Sequence, residues 1–241
     1  MLKNDSSPIW ERPERQPRPV PVPLSREVVV QAAIALADAE GLSSVTLRKV
    51  AGVLGAGPMR LYGYIATKEE LLALMVDAIY AEMLEGEDAT GAWRARIARL
   101  AGHLRSAALR HPWFAALLGG RPQQGPNALA FTEAMLSAVA EAPGIDDIDT
   151  VFLATKVIGA YVVGAVCDEA ADAAATQESG QTKAQWQDAN WPYIQRMIAT
   201  GRFPMLSKVA HQMTHPAPGT LFGRGLDRVL DGIAGTTSTS R

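Results

Sequence analysis

VTLRKVAGVLGAGPMRLYGYIATK, residues 45–68, is the stretch on which the reading of this chain turns. Leu47, Val50, Ala51 and Leu54 recur at i, i+3, i+4 and i+7, which puts them on one face of a short amphipathic helix stopping at Gly55. Gly55-Ala56-Gly57 leaves a break of a few residues. Pro58 suits the first turn of a helix, where its missing N–H has no intrahelical partner, so a second short helix is expected through Arg60, Leu61 and Tyr62. Two short helices across a tight glycine turn read as a helix-turn-helix. In DNA-binding versions the second helix enters the major groove. Here it offers Met59, Arg60, Tyr62 and Tyr64. Arginine can pair bidentately with guanine, while tyrosine hydroxyls and Lys68 can reach phosphate oxygens.

Both flanks extend the pattern. Ser25 is an N-cap residue for a helix through Ala39, with Val29, Ala33 and Leu36 on one face and Gly41 as its stop. Thr67 and Glu70 have the spacing of a capping box, and Leu71, Leu72, Met75 and Ile79 carry the apolar positions onward. The order is support helix, helix, tight turn, exposed helix, long connecting helix.

From Ser25 to about Ala81 the chain resembles the TetR family of bacterial transcriptional regulators, through ADAEGLSSVTLRKVAGVLGAGPMRLYGYIATKEELLALM. The resemblance implies that Thr46 and Arg48 touch DNA from the second helix, Met59, Arg60, Tyr62 and Tyr64 from the third, and Lys68 from the start of the fourth. Many family members carry an aromatic residue where this chain has Gly63. A glycine there weakens the third helix through its backbone entropy.

The whole chain has 241 residues, a formal net charge of -2 and 48% hydrophobic residues, enough for one small and one medium domain with a sizeable core. A general nucleic-acid binder is usually strongly basic, so this balance favours a small local footprint on DNA, or no DNA role. Cys167 is the one cysteine, which excludes an intrachain disulfide and fits a reducing cytoplasm. No run is expected to reach the roughly 20 apolar residues of a membrane span, because Lys156 and Asp168 interrupt the apolar helix around Val157. Residues 1–24 form a basic, proline-rich arm, with prolines at 8, 13, 17, 19, 21 and 23. That composition favours extended backbone, either a disordered tail or an arm that follows DNA.

An acidic, helix-poor hinge is expected from Glu82 to Gly91. Beyond it a helix reads from Gly91 to Arg110 with Trp93, Ile97, Leu100 and Leu104 on one face. A turn over Trp113 to Leu118 is closed by Gly119-Gly120 and Arg121-Pro122. Pro126 and Asn127 open a helix with Leu129, Thr132, Leu136 and Val139 on one face. Asp147 to about Ala174 reads as a long helix, Thr176 to Lys183 as a polar, mobile segment, and Trp186–Met197 and Leu221–Ile233 as the last helices. No period-two alternation is long enough for a strand. The class is all-α: an N-terminal helix-turn-helix three-helix domain over 25–71, a C-terminal helical ligand-binding and dimerisation domain over 72–236, and a tail over 237–241.

The C-terminal half resembles the tetracycline-repressor-like subclass through AWRARIARLAGHLRSAALRHPWFAALLGGRP, YVVGAVCDEA, FPMLSKV and LFGRGLDRVLDGI. It implies a homodimer in which Asp147–Ala174 and Leu221–Ile233 of each protomer build a four-helix interface. Gly159, Ala160, Gly164 and Ala165 would allow close approach there, and Leu221, Phe222, Leu226, Val229 and Leu230 would supply apolar contacts. It also implies a pocket between the helix from Trp93, the Trp113 turn, the helix from Asn127 and the long helix near Asp168. Leu100, Leu104, Trp113, Leu117, Leu118 and Met135 would line it, with His103, His111, Thr132 or Asp168 as polar handles. Tetracycline-responsive members need a metal-binding histidine at the place of Leu117 or Leu118, and further polar positions fall here on Leu100 and Met135. Burying a hydrated magnesium–drug complex against leucines would cost several kcal/mol. The expected partners are therefore a double-stranded DNA operator and a small, largely apolar or aromatic effector that is not magnesium-tetracycline.

Other classes fit less well, and neither cofactor nor metal is expected. His211 and His215 are four apart and could share a helix face, yet Pro216 follows, no acidic residue lies between them and no third ligand is evident. Cys167 beside Asp168 lacks the positive surroundings of a nucleophilic thiol, and no oxyanion-hole pattern accompanies it. A helical, dimeric small-molecule-binding protein without sequence-specific DNA function is the remaining rival.

Overall fold

The computed structural model describes residues 23–119 and 123–235. The arm read over residues 1–24 lies outside the described residues except for its last two, and Leu24 is buried in the core rather than part of an arm. The C-terminal tail over 237–241 and the closing Arg121-Pro122 also lie outside. Among the described residues the chain is all helical, with eleven α-helices and no strand.

The first 15-residue helix, α1 (Arg26–Glu40), starts because the Ser25 hydroxyl accepts from the Val28 N–H, and it stops at Gly41 with φ 80°. It buries Val29, Val30, Ala33, Ile34, Leu36 and Ala37. A single 3-10 turn (Leu42–Ser44) leads to Thr46, whose hydroxyl accepts from the Lys49 N–H and opens α2 (Leu47–Val53). Leu47, Val50 and Ala51 are buried in α2, and Leu54 sits at its cap. Gly55, at φ 62°, turns the chain into α3 (Pro58–Leu61). The expected helix through Tyr62 is thus shorter than its sequence pattern: α3 is one turn of 4 residues, with Tyr62 as its cap and Gly63 just beyond.

The 17-residue α4 (Lys68–Leu84) is the axis of the molecule. Thr67 accepts from the Glu70 N–H at 3.1 Å, while the Glu70 carboxylate accepts from Ala66 at 2.7 Å, one residue before the N-cap. Helix α4 therefore runs through the first part of the acidic stretch read as a hinge, and only residues 85–92 connect it to α5 (Trp93–Arg110). An ion pair from Glu87 to Arg99 at 3.0 Å holds that connection to α5, and one from Glu82 to Arg110 at 2.8 Å holds α4 itself to α5.

Next come α6 (Pro112–Ala115) and α7 (Pro126–Ala140). The face α7 buries is Ala128, Phe131, Met135, Ala138 and Val139; Leu129, expected inside, is 56% exposed. Large apolar residues surround this helix on more than one side, so the period alone does not choose the buried stripe.

The 32-residue α8 (Ile148–Ser179) begins at the Asp147 cap and outlasts its expected end at Ala174. The segment read as mobile is instead its last turn, a left-handed Gly180 at φ 68°, and a capping box between Thr182 and Gln185 that opens α9 (Lys183–Ala199). By length and composition α8 is apolar enough to cross a membrane, with a mean hydropathy of 1.8 in its most apolar stretch, contrary to the expectation that Lys156 and Asp168 prevent this. One face, with Val151, Ala154, Ile158, Val162, Val166 and Ala170, is buried, while Ile148, Phe152, Leu153 and Val157 are exposed. A further helix missing from the sequence reading, α10 (Pro204–Gln212), follows α9, and neither contributes a buried side chain. His215 lies beyond α10 at φ 47°, so it shares no helix face with His211.

Finally α11 (Pro218–Gly235) packs on α8 through Phe222, Leu226 and Leu230, which are inside the protomer rather than free for a dimer contact. Tyr161 on α8 donates to the Phe222 carbonyl at 2.7 Å. The close approach requires Gly225, where a Cβ would stand 2.1 Å from the Tyr161 hydroxyl.

Candidate nucleic-acid interface and ligand cavity

At the outer edge of α2 and α3 the burial pattern separates inward from outward side chains. Leu61 and Ile65 are buried and fix α3 on the body, while Met59 is 80%, Tyr62 51% and Tyr64 38% exposed. Arg48 and Arg60 are exposed too, and among the described residues neither pairs with a carboxylate. Lys49, by contrast, is bound to Glu40. Thr46 is exposed while capping α2, and Lys68 is half-buried at the first position of α4. The seven residues therefore come from three consecutive helix starts and one short turn. They offer two guanidiniums, an ammonium and two phenols, a donor set suited to phosphates and guanine edges.

A cavity of about 460 Å³ lies between α4, α5, the turn after α6, α7 and α8. That size falls within the roughly 300–1,000 Å³ of small-molecule sites. Leu104, Leu117, Leu118, Thr132 and Met135 line it, together with Tyr80, Phe131 and Phe152. Tyr80 stands edge-on to Phe114 at 5.7 Å and tilted against Phe131 at 5.4 Å. Burial pushes the Tyr80 phenol above its ordinary pKa, so the hydroxyl stays a neutral donor at physiological pH. The Thr132 and Thr155 hydroxyls donate to the carbonyls four residues back, Ala128 at 2.9 Å and Val151 at 2.8 Å. Their lone pairs remain available to a ligand.

The other sequence candidates point elsewhere. Leu100 is sealed in the core at 1% exposure. His103 has its Nδ1 2.8 Å from the Met83 carbonyl and 3.7 Å from the Glu87 carboxylate, in a separate cleft against α4. His111 Nδ1 is 2.8 Å from the Asp38 carboxylate, and Trp113 Nε1 donates to the same oxygen at 2.7 Å. Both side chains thus latch α6 to α1 instead of facing the cavity. The buried His111 Nε2 makes no hydrogen bond and stands 3.5 Å from Glu82. Asp168 is exposed, further along α8 than the cavity-lining residues, which end at Val163.

Sequence reading missed Tyr80, Gln123, Phe131, Phe152, Thr155 and Lys156 as cavity residues. Tyr80 carried a usable signal: it is the one aromatic residue of α4. A second contact ties α4 to the cavity wall. The Asp77 carboxylate accepts from the Asn127 and Ala128 N–H groups, each at 3.0 Å, and from the Asn127 amide at 2.9 Å, so a residue of α4 caps α7.

A helical protein with an exposed helix-turn-helix at one end and a half-open apolar cavity behind it has the build of a ligand-binding regulator. Residues 85–237 match the family model described as tetracyclin repressor-like, C-terminal domain. The chain is 35% identical over 229 residues to the HTH-type transcriptional repressor DrrR1 of Streptomyces coeruleorubidus, spanning 93% of this chain and 83% of that one. Among solved structures, a possible TetR family regulator from Streptomyces coelicolor A3(2) is 27% identical with a TM-score of 0.70, covering 88% of this chain and 100% of that one. ActR of Streptomyces coelicolor in complex with actinorhodin is 22% identical with a TM-score of 0.73, covering 90% and 100%, a likeness of fold alone. The chain belongs to the TetR family of transcriptional regulators, which makes it a transcription factor and not an enzyme.

Proposed function

We propose that the protein is a homodimeric repressor that binds a near-palindromic operator and leaves it when a small, largely apolar or aromatic effector enters the cavity. One observation carries the reading: α4 begins at Lys68 on the exposed edge and forms the cavity wall at Tyr80, about 18 Å along the same helix at 1.5 Å per residue. A ligand that prefers a splayed arrangement of the two protomers shifts α4, alters half-site spacing, and weakens DNA binding by its differential affinity for the two states.

In this reading Thr46, Arg48, Met59, Arg60, Tyr62, Tyr64 and Lys68 face DNA, and Leu104, Leu117, Leu118, Thr132 and Met135 face the effector. The division is DNA reading by residues 25–71 and ligand binding with dimerisation by 72–236, in the cytoplasm. Exposed Ile148, Leu153 and Val157 on α8 and Leu221 on α11 are the apolar surface that a second copy would cover. Dimerisation fits the size of α3, because one helical turn specifies little and two copies one DNA turn apart specify a palindrome. A cavity walled by Leu104, Leu117, Leu118 and Met135, with no histidine, disfavours magnesium-tetracycline.

Selection of bound sequences from random DNA tests the reading, the expected product being an inverted repeat of fixed spacing. Arg48→Ala should then weaken binding to it by about 1–3 kcal/mol, and Tyr62→Phe by about 1 kcal/mol, with dimerisation unchanged. Failure to enrich any sequence, or loss of the dimer in either variant, would refute it.

A further inference from the structure

We propose that the effector is an aromatic acid, its planar body seated against the Tyr80–Phe131 pair and its anionic group held by Lys156 at the cavity mouth. This rests on the cavity being the effector site. Lys156, an exposed residue of α8, is the one formally charged residue among the described residues that line the cavity. Its ammonium stands 5.4 Å over the ring of Phe152, another lining residue, and among the described residues it pairs with no carboxylate. A cation without a carboxylate partner at the rim of an apolar hollow attracts an anion and opposes a cationic ligand, both effects being moderated by solvent because Lys156 is exposed.

The remaining polar groups complete a complementary pattern. Thr132 on α7 and Thr155 on α8 have committed their hydrogens to backbone carbonyls, so they accept from ligand hydroxyls. Tyr80 makes no hydrogen bond among the described residues and donates to a ligand carbonyl. The Tyr80 and Phe131 rings, in tilted contact at 5.4 Å, provide an aromatic wall. A hydroxylated, carbonyl-bearing aromatic acid satisfies every one of these groups at once; an aliphatic ammonium can donate to the threonine oxygens but offers no acceptor to Lys156 or Tyr80.

Three probes of matched shape test this on the full chain by isothermal titration: anthraquinone-2-carboxylic acid, anthraquinone-2-carboxamide and 2-(aminomethyl)anthraquinone. The acid is expected to bind about tenfold tighter than the amide, equivalent to about 1.4 kcal/mol, and the amine weakest. Lys156→Gln should erase the acid's advantage while leaving the amide within about twofold, and Lys156→Arg should keep it. Equal affinity for acid and amide, an advantage that survives Lys156→Gln, or binding of none of the three overturns the proposal. Leu136→Trp fills the cavity and should abolish binding of all three. Binding that persists in that variant places the ligand elsewhere, which defeats the reading of the cavity itself and not only the preference for an acid.

Discussion

The contact between Asp77 and the start of α7 gives the most exacting test of how the two halves are joined. Gly125 precedes α7 in ordinary extended backbone, φ -66° and ψ 151°, which alanine adopts freely. A Cβ there would nevertheless lie 2.1 Å from Asp77 Oδ1 and 2.3 Å from its Cγ, so the glycine exists to admit the carboxylate. Asp77→Ala removes the acceptor for two helix N–H groups and one side-chain amide. Loss of an N-cap costs about 1 kcal/mol, and hydrogen bonds to a charged group are worth about 1.5–3 kcal/mol each in favourable cases. These terms overlap, and Asp77 is half-buried, so the expected cost is about 2–3 kcal/mol. Gly125→Ala ejects the same carboxylate and should cost a similar amount. In the Asp77→Ala background the two closest clashes are gone but the Cβ of residue 77 would still stand 2.7 Å from the new methyl; the turn, freed of its three hydrogen bonds, shifts to relieve it, so Gly125→Ala should then cost less than it does in the parent. Urea denaturation of the four chains measures this coupling directly, provided the m-values agree. Additive costs would show that Gly125 and Asp77 act independently and would refute the argument.

Three further outcomes follow from single contacts. Gly63→Ala should stabilise the chain by about 0.4–1 kcal/mol, because its φ is not in the left-handed region and a Cβ would meet nothing closer than the Arg60 carbonyl at 3.4 Å; a lower melting temperature would contradict it. Arg96 is buried and pairs with the exposed Glu141 at 2.6 Å, so Glu141→Ala strands a guanidinium at a cost of about 1–2 kcal/mol, discounted for the exposure of the carboxylate. Adding Arg96→Met should recover part of that loss, and a double variant less stable than Glu141→Ala alone would rule this out. Hydrogen bonds from the Thr150 side chain and then its N–H hold the Asp147 carboxyl below its usual pKa. The folded value lies below the unfolded one, so the contribution is present above the unfolded pKa and lost as pH falls through the folded value. Asp147→Ser keeps an N-cap that does not titrate, so its stability should fall less steeply than that of the parent between about pH 5 and pH 3. Equal slopes would remove Asp147 from the account.

What the sequence made legible is what lies within a few residues. Ser25, Thr46, Thr67 and Asp147 announce helix starts because a cap needs only the third residue onward, and Gly41 and Gly55 announce stops because their backbone enters the left-handed half of the map. The helix-turn-helix is written in one 24-residue stretch, so its exposed side could be read from periodicity. The cavity could not. Its wall is assembled from five segments between Tyr80 and Val163, and which face of α7 turns inward depends on α4, α5 and α8 at once. Polar residues were misjudged for the same reason: His111 and Trp113 have the chemistry of ligand handles, but Asp38, more than 70 residues earlier, claims both. Asp77 and Asn127 are likewise 50 residues apart. Besides the unbroken α4, the Asp38 and Asp77 contacts that tie the DNA-reading helices to the rest of the protein are of this long-range kind. Their chemistry is ordinary, so no local pattern marks them, and a search for coupling between effector and operator should begin at the Asp38–His111 and Asp77–Asn127 contacts.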